Sequence, residues 1–209
     1  MNLAPLNITA LLRTHGLQPK KSLGQNFLVD AAALQRVVDA AEIPPGLDVL
    51  EVGAGLGSLT RCLAVAARRV VAVELDAHML PILREVLAPH PNVEIVHADM
   101  LAVDVTALMG RAPFIVAANI PYYITSALIR HLLESPAQPL RMVLTVQREV
   151  AERICAAPGK LSLLALSVQL FGRARIAGRI PAGAFFPAPT VDSAIVRIDL
   201  YEQPQIPAH

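Results

Sequence analysis

The tetrapeptide Asn119-Ile120-Pro121-Tyr122 closes an apolar run that begins at Pro113. An amide, a carbonyl without its own N–H and an aromatic ring meet at the C-terminal end of a buried strand, which is where an open α/β sheet places its chemistry. Such a set suits a flat base whose exocyclic amine must become a nucleophile. The lone pair of an adenine N6 is delocalised into the ring and attacks poorly until acceptors hold its N–H groups in the tetrahedral geometry of the transition state. The Asn119 side-chain oxygen and the Ile120 or Pro121 carbonyl are candidate acceptors, and Tyr122 is a candidate stacking surface. Taken alone, the same four residues also describe a strand ending in a Pro-Tyr turn.

Upstream, Leu47 to Val52 leads into Gly53-Ala54-Gly55-Leu56-Gly57 and then into a helical pattern with Leu56, Leu59 and Leu63 on one face. This is a nucleotide-binding turn in the right context. Ser58 stands where the dinucleotide fingerprint has its last glycine, which disfavours a nicotinamide cofactor. Glycines that let the backbone approach closely suit the methionine part of S-adenosyl-L-methionine, which has no pyrophosphate. A second β-branched run ends in Glu74-Leu75-Asp76, and a third in Asp99. A carboxylate at the second position can accept both ribose hydroxyls, and Asp99 can take the adenine amine of the cofactor. Each acid by itself is also a common helix N-cap or loop charge. Three strand ends carrying Gly, Glu and Asp in order, with Asn-Ile-Pro-Tyr on the fourth, point to a Rossmann-like methyltransferase.

The elements that must hold these residues alternate along the chain. A leading helix is expected near Ile8–Thr14, a loop over the pocket at Lys20–Leu28 and a helix at Ala31–Ala41. Strands follow at 47–53, 70–74, 92–97, 113–119 and 141–147, with helices at 58–67, 77–87, 125–134, 148–157 and 162–171. That alternation makes a parallel sheet with helices on both faces. A last pair, Ala174–Ile180 and Val191–Leu200, surrounds the Pro187-Ala188-Pro189 turn. One catalytic domain over 1–200 and a flexible tail over 201–209, polar and proline-interrupted, are expected.

Composition agrees: 209 residues, 54% of them hydrophobic, supply one large core. No apolar run approaches the length of a bilayer span, and the N-terminus lacks the pattern of a secretory signal. Cys62 and Cys155 read as cytosolic thiols, and six scattered histidines give no metal-ligand spacing. No metal is expected. Neither cysteine follows a proline in the pocket strand, so a covalent cysteine route is excluded.

With Lys20 to Leu28 (Lys-Lys-Ser-Leu-Gly-Gln-Asn-Phe-Leu) before the first sheet strand and Phe185-Phe-Pro-Ala-Pro-Thr-Val-Asp-Ser193 near the end, the chain resembles the rRNA adenine N6-dimethyltransferase family from about Ile8 to Ile198. Within it, Tyr123 after Tyr122, the segment Gln147–Arg153 and the Phe-x-Pro-x-Pro-x-Val-Asp-Ser signature resemble the branch that modifies small-subunit (16S) rRNA. Macrolide-resistance enzymes acting on large-subunit rRNA share the Gln-Asn-Phe and Asn-Ile-Pro-Tyr elements and are the alternative, together with a non-catalytic ribosome-assembly or RNA-binding factor on the same fold.

The resemblance implies a class I S-adenosyl-L-methionine-dependent methyltransferase fold, with a mostly parallel seven-stranded sheet, one antiparallel strand and helices on both faces. It implies that Asn26 and Leu28 lie over the cofactor, Gly53 and Gly55 contact it, Glu74 holds its ribose and Asp99 its adenine. Asn119 would serve both cofactor and target amine, beside Pro121, with Tyr122 and Phe185 sandwiching the target adenine. The implied reaction is direct dimethylation of N6 on two adjacent adenosines near the 3′ end of small-subunit rRNA, in support of ribosome biogenesis. The implied partner is small-subunit rRNA or the immature small subunit, met in the cytoplasm by a monomer, with no membrane and no DNA. Three features depart from the family pattern. Thr190 replaces a lysine, Leu161-Ser162 stands where an aromatic-glycine pair is usual, and no small helical C-terminal domain follows.

Net charge is only +1, but it is unevenly spread. Residues 1–36 carry four basic groups against one acid, 37–140 six against eleven, and 141–180 seven against two. The two basic stretches are expected to converge on the pocket mouth, with Lys20, Lys21, Arg148 and Arg153 contacting RNA phosphates; two independent solvated faces are the alternative.

Overall fold

The central apolar runs, 48–52, 69–74, 114–119 and 141–147, become strands buried on both faces, as the interior strands of a parallel sheet are, whereas 93–97 at the sheet edge stays half-buried to exposed. The computed structural model describes residues 3–157 and 159–205. In chain order its elements are α1 (Ile8–Thr14), β1 (Phe27–Leu28), α2 (Ala31–Ala41), β2 (Asp48–Val52), α3 (Ser58–Ala66), β3 (Arg69–Glu74), α4 (Leu80–Leu87), β4 (Val93–His97) and α5 (Val105–Met109). They continue with β5 (Phe114–Asn119), α6 (Thr125–Glu134), β6 (Arg141–Gln147), α7 (Arg148–Ile154), α8 (Leu163–Phe171), β7 (Gly172–Ile180), β8 (Phe185–Phe186) and β9 (Ser193–Leu200).

Seven strands form one sheet in the order β4-β3-β2-β5-β6-β9-β7. Strands β2 to β6 pair in parallel, and β9 alone runs antiparallel, between β6 and β7. This is the expected class I methyltransferase architecture. Successive strand residues leave on opposite faces. Leu50, Val116, Ala118, Met142 and Leu144 therefore pack against α6, α7 and α8 through Leu128, Leu132, Ile154 and Val168. Val49, Val70, Ala72, Ile115 and Ala117 pack against α2, α3 and α4 through Val37, Leu63 and Leu83. A smaller cluster of Ile8, Leu12, Phe27, Leu56, Met79 and Ile82 docks α1 onto the loops that follow β2 and β3.

Several boundaries differ from the sequence expectation. The helix expected at 77–87 begins as a 3-10 turn, Ala77–Met79, before α4, whose first turn contains Pro81. Proline has no N–H to give to a preceding turn, so it starts a helix more readily than it continues one. Helix α5 was not expected: its five residues are too few to show periodicity, and it is held by Asp104, which accepts from the N–H groups of Thr106 and Ala107. The two-residue strands β1 and β8 are also too short for any alternation. They pair antiparallel, Phe27 opposite Phe186 and Leu28 opposite Phe185, and so bring the two ends of the family resemblance together. After β9, Tyr201 and Gln205 N–H groups donate to the Phe171 and Leu170 carbonyls; the rest of the expected tail, 206–209, lies outside the described residues.

At the sheet end away from the β5 C-terminus, α2 is fastened by charge. Arg197 donates to the Ala40 carbonyl and Arg141 to the Ala41 carbonyl, while Asp199 and Glu42 pair with both arginines. These cations cap the orphan carbonyls of a helix C-terminus.

Gly57 opens α3 with φ +83°, and a Cβ there would lie 3.1 Å from Leu83 Cδ1 and 3.2 Å from Val86 Cγ1. Gly57→Ala should therefore lower unfolding stability by about 1–3 kcal/mol in a urea titration, since backbone strain and overpacking of α4 add. Unchanged stability would contradict the assigned turn.

Candidate active site

From β2 the chain moves outward through β3 to β4, then returns to place β5 on the other side of β2. At such a reversal the loops leaving the two central strands part in opposite directions and leave a crevice. A Cβ added to Gly53, just after β2, would lie 3.7 Å from the Asn119 carbonyl at the end of β5. The crevice holds every residue that the sequence analysis assigned to catalysis or cofactor binding: Asn26, Leu28, Gly53, Gly55, Glu74 and Asp99, and with them Asn119, Pro121, Tyr122 and Phe185. Its empty space, counting the open mouth, is about 1070 Å³, the scale of a small-molecule site.

Asn119 is oriented by the loop opposite. Its Nδ2 donates to the Asn26 carbonyl over 3.0 Å, so the donor end is committed to the protein and Oδ1 is left as the acceptor in the cleft. The neighbouring carbonyls separate in role. Pro121 accepts from the Ile124 N–H at 3.1 Å, whereas no donor among the described residues reaches the Ile120 carbonyl. Of the two backbone acceptors left open by the sequence, Ile120 is the one available.

Glu74 is buried, and both its oxygens bind backbone: Oε2 accepts from Gly55 N at 2.7 Å and Oε1 from Asp76 N at 2.8 Å. One carboxylate thus joins the glycine turn after β2 to the loop after β3. Asp76, also buried, accepts from Lys20 Nζ at 2.9 Å, Gln25 Nε2 at 2.9 Å and the His78 ring at 2.9 Å. Burial pushes its carboxyl up, but the bonds from Lys20, His78 and Gln25 outweigh that and hold it at about 2. Asp76 is therefore the anchor of the loop that carries Asn26 across the cleft. Asp99 sits exposed at the rim, and its Oδ1 takes the Leu101 N–H.

The carboxyl-terminal motif has a structural reading. Tyr122 Oη lies 2.9 Å from Ser193 Oγ, and Ser193 is fully buried. Asp192 accepts from the Ala182 N–H and fixes the turn that leads into Phe185. Ser193 and Asp192 thus set the two aromatic walls of the cleft, a job that motif matching alone did not reveal.

Sequence reasoning missed Glu51. It lines the cleft, is 1% exposed, and its Oε2 has no hydrogen-bond partner. Its signal was an acid inside the apolar run, two residues before Gly53. Burial pushes its carboxyl up to about 8; the neighbouring Thr60 hydroxyl opposes this, and the nearby Glu74 charge adds to it. The charge expectation also changes. Lys20 is tied to Asp76, and Arg141 caps α2 at the far end of the sheet, where Arg175 also approaches Glu42. Arg148 pairs with Glu152 across one helical turn. The two basic stretches therefore do not converge as wholes.

A carboxyl that holds its proton in the fold but releases it near 4.5 when unfolded stabilises the protein fully below 4.5, and this contribution is lost as pH rises through about 8. Glu51→Gln should therefore gain on the wild type by about 2–4 kcal/mol between pH 5 and pH 8 in denaturant titrations of the ligand-free protein. A constant difference across that range would contradict the buried, protonated carboxyl.

Comparison with known proteins fits this geometry. The family model described as "Ribosomal RNA adenine dimethylase" matches residues 16–208. Ribosomal RNA small subunit methyltransferase A of Streptococcus thermophilus (strain CNRZ 1066) is 40% identical over 214 residues, covering 99% of this chain and 74% of that protein. Among solved structures, the 23S rRNA methyltransferase ErmE superposes with a TM-score of 0.79 at 36% identity, covering 88% of this chain and 73% of that one. A dimethyladenosine transferase from Plasmodium falciparum does so with a TM-score of 0.76 at 30% identity, covering 84% and 64%. A match of this extent, on a chain whose cleft gathers all ten expected catalytic and cofactor residues, places it in a family: the chain belongs to the ribosomal RNA adenine dimethylases.

Proposed function

We propose that the chain methylates N6 of two adjacent adenosines near the 3′ end of small-subunit rRNA, using S-adenosyl-L-methionine. The observation that carries this reading is the bond from Asn119 Nδ2 to the Asn26 carbonyl, which leaves Oδ1 as an acceptor at the strand end. The cofactor fits the residues present. The glycine turn, the buried Glu74 and the rim Asp99 line the cleft with Glu51, whose partnerless carboxyl would give up its proton beside a cationic group, because an opposite charge favours the carboxylate. When bound, the cofactor supplies a methyl group activated by a sulfonium.

The protein's own residues then do the following. Asn26 and Leu28 cover the cofactor, Gly53 and Gly55 approach it with backbone, Glu74 takes the ribose hydroxyls and Asp99 the adenine amine. Asn119 Oδ1 and the Ile120 carbonyl accept the two N6 hydrogens of the target, which draws the nitrogen towards tetrahedral geometry and frees its lone pair. Pro121 shapes the turn that presents Ile120. Tyr122 and Phe185 hold the base between them, so the target must leave its stack first. A leaving group as good as a sulfonium requires no strong base, and positioning supplies much of the rate.

The small-subunit assignment is supported by relatives such as the S. thermophilus protein. The likeness to ErmE is weaker, 36% identity over 88% of the chain against 40% over 99%, and does not favour large-subunit rRNA.

Asn119→Ala should lower kcat by about 100-fold or more while leaving RNA affinity unchanged, because it removes a transition-state acceptor. Near-normal turnover would refute the role. Tyr122→Phe and Ser193→Ala should each lower kcat about 3- to 10-fold, and the double variant should be no worse than either alone, since both break one hydrogen bond. Additive losses would show that Ser193 does not act through Tyr122.

A further inference from the structure

A second groove runs beside the cleft, with Arg13, Lys21, Gln147 and Phe186 along it. It shares Gly24, Gln25, Asn26 and Tyr122 with the cleft, so the two are continuous. The passage from one to the other is made by two consecutive residues. In an extended segment successive side chains leave on opposite sides. Phe185 accordingly turns inward, 5% exposed, to line the cleft, and Phe186 turns outward, 37% exposed, to line the groove. Neither ring hangs on a loose loop. The Val29 N–H donates to the Ala184 carbonyl just before β8, and the β1–β8 pairing fixes both phenylalanines.

The charge of the groove has one sign. Arg13 and Lys21 are exposed, and neither is in an ion pair among the described residues, in contrast to Lys20. No carboxylate is among the described residues that line it. An aromatic face beside unpaired cations, with acids absent, is the chemistry that takes single-stranded nucleic acid: the ring stacks on any base and the cations meet phosphates.

We propose that this groove holds the nucleotide next to the target adenosine, with its base stacked on Phe186 and flanking phosphates held by Arg13 and Lys21. The inference rests on the RNA reading above and adds a second base site to it. It explains how one cleft can serve two adjacent adenosines. While one lies between Tyr122 and Phe185, its neighbour rests on Phe186, and stacking tolerates that neighbour with or without its methyl groups.

The test is equilibrium binding of a short single-stranded oligoribonucleotide with two adjacent adenosines, and of the same strand with an abasic site in place of one of them. The wild type should lose about 5- to 150-fold in affinity on the abasic strand, the range expected for one stacked base. Phe186→Leu should bind both strands alike, and Phe186→Trp should restore the discrimination. Arg13→Ala with Lys21→Ala should weaken both strands equally and reduce the slope of log affinity against log salt by about 1.4, or about 0.7 for each phosphate on a single strand. Cofactor affinity should stay the same in all variants and reports that they are folded. Undiminished discrimination in Phe186→Leu, an unchanged salt slope in the double variant, or no binding of either strand by the wild type would overturn the proposal. Methyl transfer by the wild type to unmodified ribosomal subunits distinguishes that result from failure of the RNA reading itself.

Discussion

Reversal of strand order between β2 and β5 is the constraint on which the rest of the structure depends. Two central strands lie side by side and their following loops turn away from each other. The gap that results is a consequence of topology, and each neighbouring strand end contributes to it in order: the glycine turn from β2, Glu74 from β3, Asp99 after β4 and Asn119 from β5. The sheet can hold this arrangement because both its faces are covered by helices and its strand interiors are apolar. Strand ends carry Glu74 and Asn119, and the loops that leave the strands carry Gly53, Gly55, Asp99, Pro121 and Tyr122.

What completes it is a small set of buried polar bonds across the opening. Glu74 ties two loops of the sheet together, and Asp76 ties the second of these to the segment that carries Gln25 and Asn26. That segment supplies the carbonyl that orients Asn119, and through β1 it holds β8 with its two phenylalanines. The low pKa of Asp76 follows from this role. An anion that binds a lysine, a histidine and an amide at once is held charged over the whole working pH range. Glu51 shows the opposite case. It is buried more deeply and has an oxygen without a partner, and its environment favours the proton.

The sequence showed the fold wherever a residue pattern was long enough to register. Helices Ile8–Thr14 and Ala31–Ala41 and the strand at 141–147 coincide with α1, α2 and β6, because a buried stripe or a doubly buried strand leaves a clear periodicity. Helix α5 and strands β1 and β8 are too short to leave one. The site residues were legible as motifs, and the cleft gathers all ten. Their supports were not. Nothing in the order of residues says that Ser193 meets Tyr122, that Lys20 is consumed by Asp76, or that Arg141 caps a helix at the far end of the sheet. These are contacts between residues 56 to 100 positions apart. Charge counting along the chain could locate basic stretches, but only the fold separates cations that fasten the structure from those, such as Arg13 and Lys21, that line an open groove.

The central claim is that this cleft methylates adenine N6 in small-subunit rRNA. The most direct measurement is transfer from labelled S-adenosyl-L-methionine to unmodified small and large ribosomal subunits, with mass mapping of the product. The account predicts dimethyladenine at adjacent positions near the 3′ end of the small-subunit rRNA. Label confined to large-subunit rRNA, or no transfer to either subunit by protein that binds the cofactor, would contradict it.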